Sequence, residues 1–154
     1  MAVTVDEKAR VLGRIIQQHR IHPVIRETAM TILRGAGVPS RNDPAEITAI
    51  YDWEKQNIRY TYDPAWQDVF ASPLWTLKVR AGDCDDMVTL LGSFLESVGH
   101  PVDIKIAGYN PEGFSHVYLL AQQGRLVLDP TLGKEVPAGT ELPYYMSKVY
   151  HVPE

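Results

Sequence analysis

A single cysteine, Cys84, occurs in the 154 residues. That excludes an internal disulfide, and with it the stapled frameworks of small secreted domains. No apolar run approaches the length of a membrane-spanning helix. Lysine and arginine are dispersed, with no basic stripe, and the formal net charge is −4. Neither a nucleic acid nor a membrane surface is therefore an expected partner. Linkers, low-complexity stretches and internal repeats are also missing. A single domain over residues 1–154 is expected, long enough to bury a core without staples. Met1 to Glu7 carries no basic n-region and no apolar h-region, so a cytoplasmic location is expected.

The first half of the chain reads as helical. Asp6 to Arg20 places Ala9, Leu12, Ile15 and Ile16 on one face, and His22-Pro23 breaks the pattern. Pro23 suits the first position of a second helix, which runs through Val24, Ile25, Ala29, Ile32 and Leu33 to Gly35 and Gly37. Asn42-Asp43-Pro44-Ala45-Glu46 is a start signal, with Asp43 as cap and Glu46 reaching back. This third helix turns Ile47, Ile50 and Tyr51 inward and runs to about Asn57. Ile58 to Asp63 alternates and reads as extended. Asp63 to Ala71 reads as a loop with Trp66 and Phe70 on its surface. Ser72-Pro73 starts a short helix through Leu74 and Leu77.

Behind Cys84, the residues Met87, Leu90, Leu91, Phe94, Leu95 and Val98 recur at helical spacing until Gly99. Cys84 is thus expected at or just inside the first turn of a helix whose other face is core, with Asp83 and Asp86 as a capping box. The helix dipole and the free N–H groups of that turn favour a thiolate, and the same N–H groups suit an oxyanion. The charges of Asp83, Asp85 and Asp86 oppose the thiolate, so a nearby imidazolium is needed to compensate. Those acids lack the spacing of a calcium loop. With one cysteine and scattered histidines, no metal site and no cofactor are expected.

After Gly99 the period changes to two. Val102 to Ala107, Ser115 to Ala121 and Arg125 to Asp129 read as strands, with turn chemistry at Gly108–Gly113 and Gln122–Gly124. Tyr144 to Val152 reads as a last strand. The expected class is α+β, with N-terminal helices and a cysteine-bearing helix packed on an antiparallel sheet.

A cysteine nucleophile needs a base and a group to orient that base. Of the five histidines, only His116 sits inside a well-patterned strand. A two-residue turn at Gln123-Gly124 pairs Leu119 with Leu128 and Ala121 with Leu126. Val117, Leu119, Leu126 and Leu128 then share one apolar face. His116 and Asp129 fall together on the other, within side-chain reach. A slip of one residue would bury His116 and expose the leucines, so the pattern selects this register.

Cys84, His116 and Asp129 follow one another in the order of a Cys-His-Asp set. On Gly82-Asp83-Cys84-Asp85-Asp86, Ser115-His116-Val117-Tyr118 and Leu128-Asp129-Pro130-Thr131, the chain resembles the transglutaminase-like superfamily. This is the papain-related group of transglutaminases, microbial cysteine proteases and peptide N-glycanases. Ile50-Tyr51-Asp52-Trp53 through Ile58-Arg59-Tyr60 also resembles the segment that precedes the family's cysteine. The likeness spans roughly residues 24 to 132 and leaves 133–154 as a C-terminal extension.

The resemblance implies a papain-like core, with Cys84 as nucleophile, His116 as base and then acid, and Asp129 as orienter. It also implies a peptide or protein amide substrate. Members often carry an acid shortly after the histidine and a Trp before the aspartate's strand. Here those stretches read Leu119-Leu120-Ala121 and Gly124-Arg125-Leu126. The family's second oxyanion donor can be an upstream indole, for which Trp53 and Trp75 are both candidates. Tyr109, in the loop that leads to His116, is expected on the wall of the substrate groove.

The expected chemistry is acyl transfer through a thioester. Hydrolysis is favoured over transamidation, because the chain has no room for the extra domains of large animal transglutaminases. A non-catalytic binding or assembly module, as in small bacterial or phage domains resembling this one, is the alternative. The complete triad argues against it. The sequence does not bear on oligomeric state.

Overall fold

The computed structural model describes residues 4–39, 41–61 and 71–154. Three helices come first: α1 (Val5–His19), α2 (Pro23–Ala36) and α3 (Asp43–Asn57). Thr4 caps α1 in a capping box with Glu7, and His22 caps α2. Asn42 rather than Asp43 caps α3, its side chain accepting from the Ala45 N–H at 3.1 Å. Glu46 does not reach back. Its carboxylate meets His100 instead, at 2.8 Å, a partner 54 residues away that no local signal reveals. Along α2, Ile25, Ala29 and Ile32 are buried and Val24 is exposed. The end of the extended stretch at Tyr62-Asp63, and the loop with Trp66 and Phe70, lie outside the described residues.

Next come β1 (Arg59–Tyr60), α4 (Pro73–Val79) and β2 (Ala81–Gly82). The strand β2 was not expected. It pairs in parallel with β1, with Arg59 opposite Ala81 and Tyr60 opposite Gly82. This short ladder ties the residues just before Cys84 to the end of α3. Then α5 (Cys84–Ser97) runs through the middle of the molecule. Helices α1 to α4 pack around it, and β4 packs on the remaining side. Met87, Val88, Leu90, Leu91, Phe94 and Leu95 are all buried. A helix apolar on every side belongs in a core, and α5 is the core's axis.

The strands β3 (Val102–Gly108), β4 (His116–Ala121), β5 (Leu126–Leu128) and β6 (Met146–His151) form an antiparallel sheet in the order β5-β4-β3-β6. The β4–β5 register is the expected one, Leu119 opposite Leu128 and Ala121 opposite Leu126. Gln123 and Gly124 both have positive φ, as a two-residue turn matching the strand twist requires. β6 crosses back to pair with β3, so the last part of the chain completes the sheet.

One expectation about the sheet fails. The face that carries His116 is not open to solvent along its length, since Tyr118 and Leu120 are buried there too. The segment before β6 covers it. Glu141 takes bonds from the Tyr118 hydroxyl at 2.5 Å and from Lys105 at 2.6 Å, and Lys105 lies over the Tyr144 ring. Among the described residues, no helix is long and apolar enough to cross a membrane.

Candidate active site

The start of α5 is held by its own acids. Asp83 accepts from the Asp86 N–H at 3.1 Å, and Asp86 accepts in return from the Asp83 N–H at 3.2 Å. Asp86 also accepts from the Ala71 N–H at 3.3 Å. Gly82 is required by this closeness. A Cβ there would stand 2.5 Å from the Asp86 Cβ, inside any real contact. Cys84 follows as the first residue of the helix, with 7% of its surface exposed.

The sulfur sits between two elements. On its own helix, Asp85 Oδ1 lies 3.9 Å away and accepts from the thiol. From the sheet, the Val117 backbone N–H is directed at it. The β4–β5 ladder has ended by then, at Leu119 opposite Leu128. Val117 adjoins His116, so the sulfur lies at the same end of β4 as the imidazole.

The thiolate expected from the helix start is not what this setting favours. Burial, most of all, and then the charges of Asp85 and Asp83 push the Cys84 thiol well up. The Val117 N–H and Lys8 oppose them without prevailing. The helix terminus supplies only about half a unit charge, whereas desolvation acts on the whole charge of a buried thiolate. Burial and the two acids thus favour the neutral thiol.

His116 opens β4 and is positioned through Nε2, which lies 2.9 Å from Asp129 Oδ2. Asp129 is buried and held at both ends. Its other carboxylate oxygen accepts from the Thr131 N–H at 3.2 Å and from the Thr131 hydroxyl at 2.7 Å. Its backbone carbonyl accepts from the Tyr51 hydroxyl at 2.9 Å. With Nε2 committed to Asp129, the imidazole's Nδ1 is the nitrogen left for a proton from elsewhere.

The remaining histidines are engaged away from the sulfur. His19 meets the Ile15 carbonyl, His22 caps α2, His100 meets Glu46 and His151 meets Asp103.

The three groove or oxyanion candidates part company. The Tyr109 ring lies 6.1 Å from the His116 ring, and its hydroxyl is pushed up to about 12 by burial and by Asp129, with Glu141 and Cys84 adding to it. Trp53 stacks edge-on against Phe94 at 5.8 Å, beneath Arg80. Phe94 lies ten residues along α5, about 15 Å from its start, while Arg80 lies four residues before Cys84. Trp75 is exposed, with Lys78 over its ring.

Sequence reasoning missed Lys8, whose ammonium lies 3.1 Å from Asp85 Oδ2 with both side chains buried. The signal was present: Lys8 falls one turn before Leu12, on the buried face of α1.

Tyr109→Ala is expected to raise KM with little change in Tm, because the side chain is partly exposed beside His116. Phe114, at the other end of the same loop, packs against the core. Its truncation to Ala is expected to lower Tm. Melting curves beside initial rates separate the two, and a Tyr109→Ala variant with unaltered KM would remove Tyr109 from the groove.

The fold is similar to that of two solved structures. One is a candidate protease from Parabacteroides distasonis ATCC 8503, with a TM-score of 0.56, 13% identity, and 71% of this chain and 23% of that one covered. The other is a candidate cysteine protease from Cytophaga hutchinsonii, with a TM-score of 0.51, 15% identity, and 82% and 47% covered. The chain thus spans less than half the length of either. No curated protein matches it in sequence. The family model described as the transglutaminase-like superfamily matches residues 26–118, a stretch that includes Cys84 and His116 and ends before Asp129. More than half of the chain is matched, and the chain belongs to the transglutaminase-like superfamily.

Proposed function

We propose that the chain is a cysteine-dependent acyl-transfer enzyme acting on peptide or glutamine-type amides, with water as the usual acceptor. The observation that carries this is the contact of 2.9 Å between His116 Nε2 and Asp129 Oδ2, at the end of β4 whose next N–H meets the Cys84 sulfur. A binding role has no need of that arrangement.

The neutral thiol calls for general-base assistance. As the sulfur attacks the amide carbonyl, an S–C bond forms and the thiol proton passes to His116 Nδ1. Of the first-turn N–H groups of α5, that of Asp86 is taken by Asp83, and those of Cys84 and Asp85 stabilise the oxyanion. When the intermediate collapses, the C–N bond breaks and the imidazolium returns the proton to the leaving amine. Water then attacks the thioester, giving a proton to Nδ1, and the sulfur leaves and is reprotonated. A primary amine in place of water yields a transamidated product by the same steps. The lean to water is supported by the likeness of the fold to a candidate protease and a candidate cysteine protease.

One observation favours a different reading, a non-catalytic module that retains the fold: Cys84 is 7% exposed and its thiol is pushed up. Two measurements decide. Purified protein is incubated with unstructured peptides and with glutamine peptides plus a primary amine, then acid-quenched for mass spectrometry. An acyl adduct on Cys84 is expected, with a new peptide terminus for proteolysis, released ammonia for amidase action, or incorporated amine for transamidation. Iodoacetamide labelling of Cys84 in the folded protein is expected to slow in His116→Ala. Labelling only after unfolding, with no adduct, would leave the binding module as the function.

A further inference from the structure

The far end of α5 gathers three groups that the chemistry above does not use. Asp43 and Glu46 stand three residues apart on the first turn of α3, and so on one face of it. His100 follows α5 in the link Gly99-His100-Pro101. That link is stiff: Gly99 has φ +90°, the His100 N–H bonds the Leu95 carbonyl at 2.9 Å, and Pro101 fixes the next residue. One ligand atom from each of Asp43, Glu46 and His100 lies within 4.8 Å of the other two.

We propose that Asp43, Glu46 and His100 form a binding site for a divalent transition-metal ion of the zinc type. The geometry asks for little change. Zinc bound at about 2.0–2.2 Å to nitrogen and oxygen separates neighbouring tetrahedral ligands by roughly 3.3–3.6 Å. His100 Nε2 and Glu46 Oε1 now stand 2.8 Å apart, so they must open slightly while Asp43 closes in. Asp43 is exposed and free to turn, because the capping of α3 falls to Asn42. Among the described residues, its carboxylate has no hydrogen-bond or ion-pair partner. His100 is 7% exposed, so its ring is already desolvated and held.

A second observation points the same way. A cleft of about 340 Å³ opens onto Asp43 and His100, with Ile47, Gln122 and Gln123 among its walls. It gives an ion a path of entry and leaves room for water at a fourth position.

Two features oppose a cation, the positive end of α3 and Arg125 at the cleft mouth. The helix end is worth about half a unit charge and Arg125 faces solvent, while the two carboxylates carry full charges directly at the site. Imidazole as a ligand selects zinc-like ions over magnesium and calcium, which take oxygen. The absence of a metal site expected from sequence rested on cysteine and histidine spacing. That spacing is blind to a histidine brought beside acids more than fifty residues away. A bound ion would brace the first turn of α3 against the end of α5, about 20 Å along that helix from Cys84. The proposal is therefore independent of the acyl-transfer reading.

The test titrates Zn²⁺ into the Cys84→Ala protein, which removes the other soft ligand, with calorimetry and melting curves as readouts. One Zn²⁺ per chain is expected, with a rise in Tm and no such rise with Mg²⁺. Asp43→Asn, at an exposed position that leaves the fold alone, is expected to weaken binding by at least about tenfold. His100→Gln is expected to abolish the rise in Tm. Failure to bind Zn²⁺, or binding that is equal in the Asp43→Asn protein, overturns the site.

Discussion

Asp129→Asn is expected to preserve the fold and to lower kcat by about 10²–10⁴-fold. The amide can still accept from the Thr131 N–H and hydroxyl through its oxygen, as Asp129 Oδ1 does now. The Tyr51 bond to the backbone carbonyl is untouched, so the buried residue keeps its place. What changes is the group facing His116. Asp129 Oδ2 accepts from Nε2–H, which leaves Nδ1 as a lone pair. An Asn –NH₂ in that place is a donor, so Nε2 must accept and the ring proton moves to Nδ1. That tautomer cannot take a proton from Cys84. The loss should fall on kcat rather than KM, with an unaltered melting curve. Native turnover in Asp129→Asn would mean that another group sets the tautomer. Thr131 would be the first to examine, its hydroxyl being 3.3 Å from Nε2.

Much of this site was legible because local rules converge on it. The Asp83–Asp86 capping box, the apolar repeat behind it and Gly82 place Cys84 at a helix start. The hairpin register followed from the alternation of leucines and the Gln123-Gly124 turn, and it brought His116 to Asp129. The parts that were not legible are contacts set by tertiary packing. β2 is too short to carry a period, and only its partner β1 makes it a strand. The sheet face carrying Tyr118 looked solvated until Glu141 and Tyr144 covered it. The push of burial on the Cys84 thiol, which opposes the helix terminus, is also set by packing and not by local pattern. The contacts of Trp53 with Phe94 and Arg80 likewise come from the packing of α3 and are not legible in the local pattern.

Lys8→Met is expected to destabilise the protein by about 3–5 kcal/mol at neutral pH, as removal of one partner of a buried pair does. Lys8 and Asp85 are 2% and 3% exposed and stand 3.1 Å apart. Methionine roughly fills the space of the lysine stem, so the loss comes from charge and not from a cavity. Asp85 already has its pKa raised to about 6 by burial, with Lys8 pulling it down. A carboxyl raised above its unfolded value of about 3.9 contributes stability that is complete below that value and lost as pH rises through about 6. Without Lys8 the folded pKa climbs further, and more stability is lost above it. The gap in Tm between Lys8→Met and native protein should therefore be wider at pH 8 than at pH 5. Lys8→Met combined with Asp85→Leu should recover much of the loss, since an apolar pair leaves no charge to solvate. The pair also bears on the sulfur, because Asp85 raises the Cys84 thiol and Lys8 lowers it. At a pH high enough to keep Asp85 ionised, alkylation of Cys84 should thus slow in Lys8→Met, even under conditions where the variant is fully folded. A gap in Tm that is flat with pH would show that Lys8 contributes packing rather than charge, and the link from α1 to the sulfur would be withdrawn.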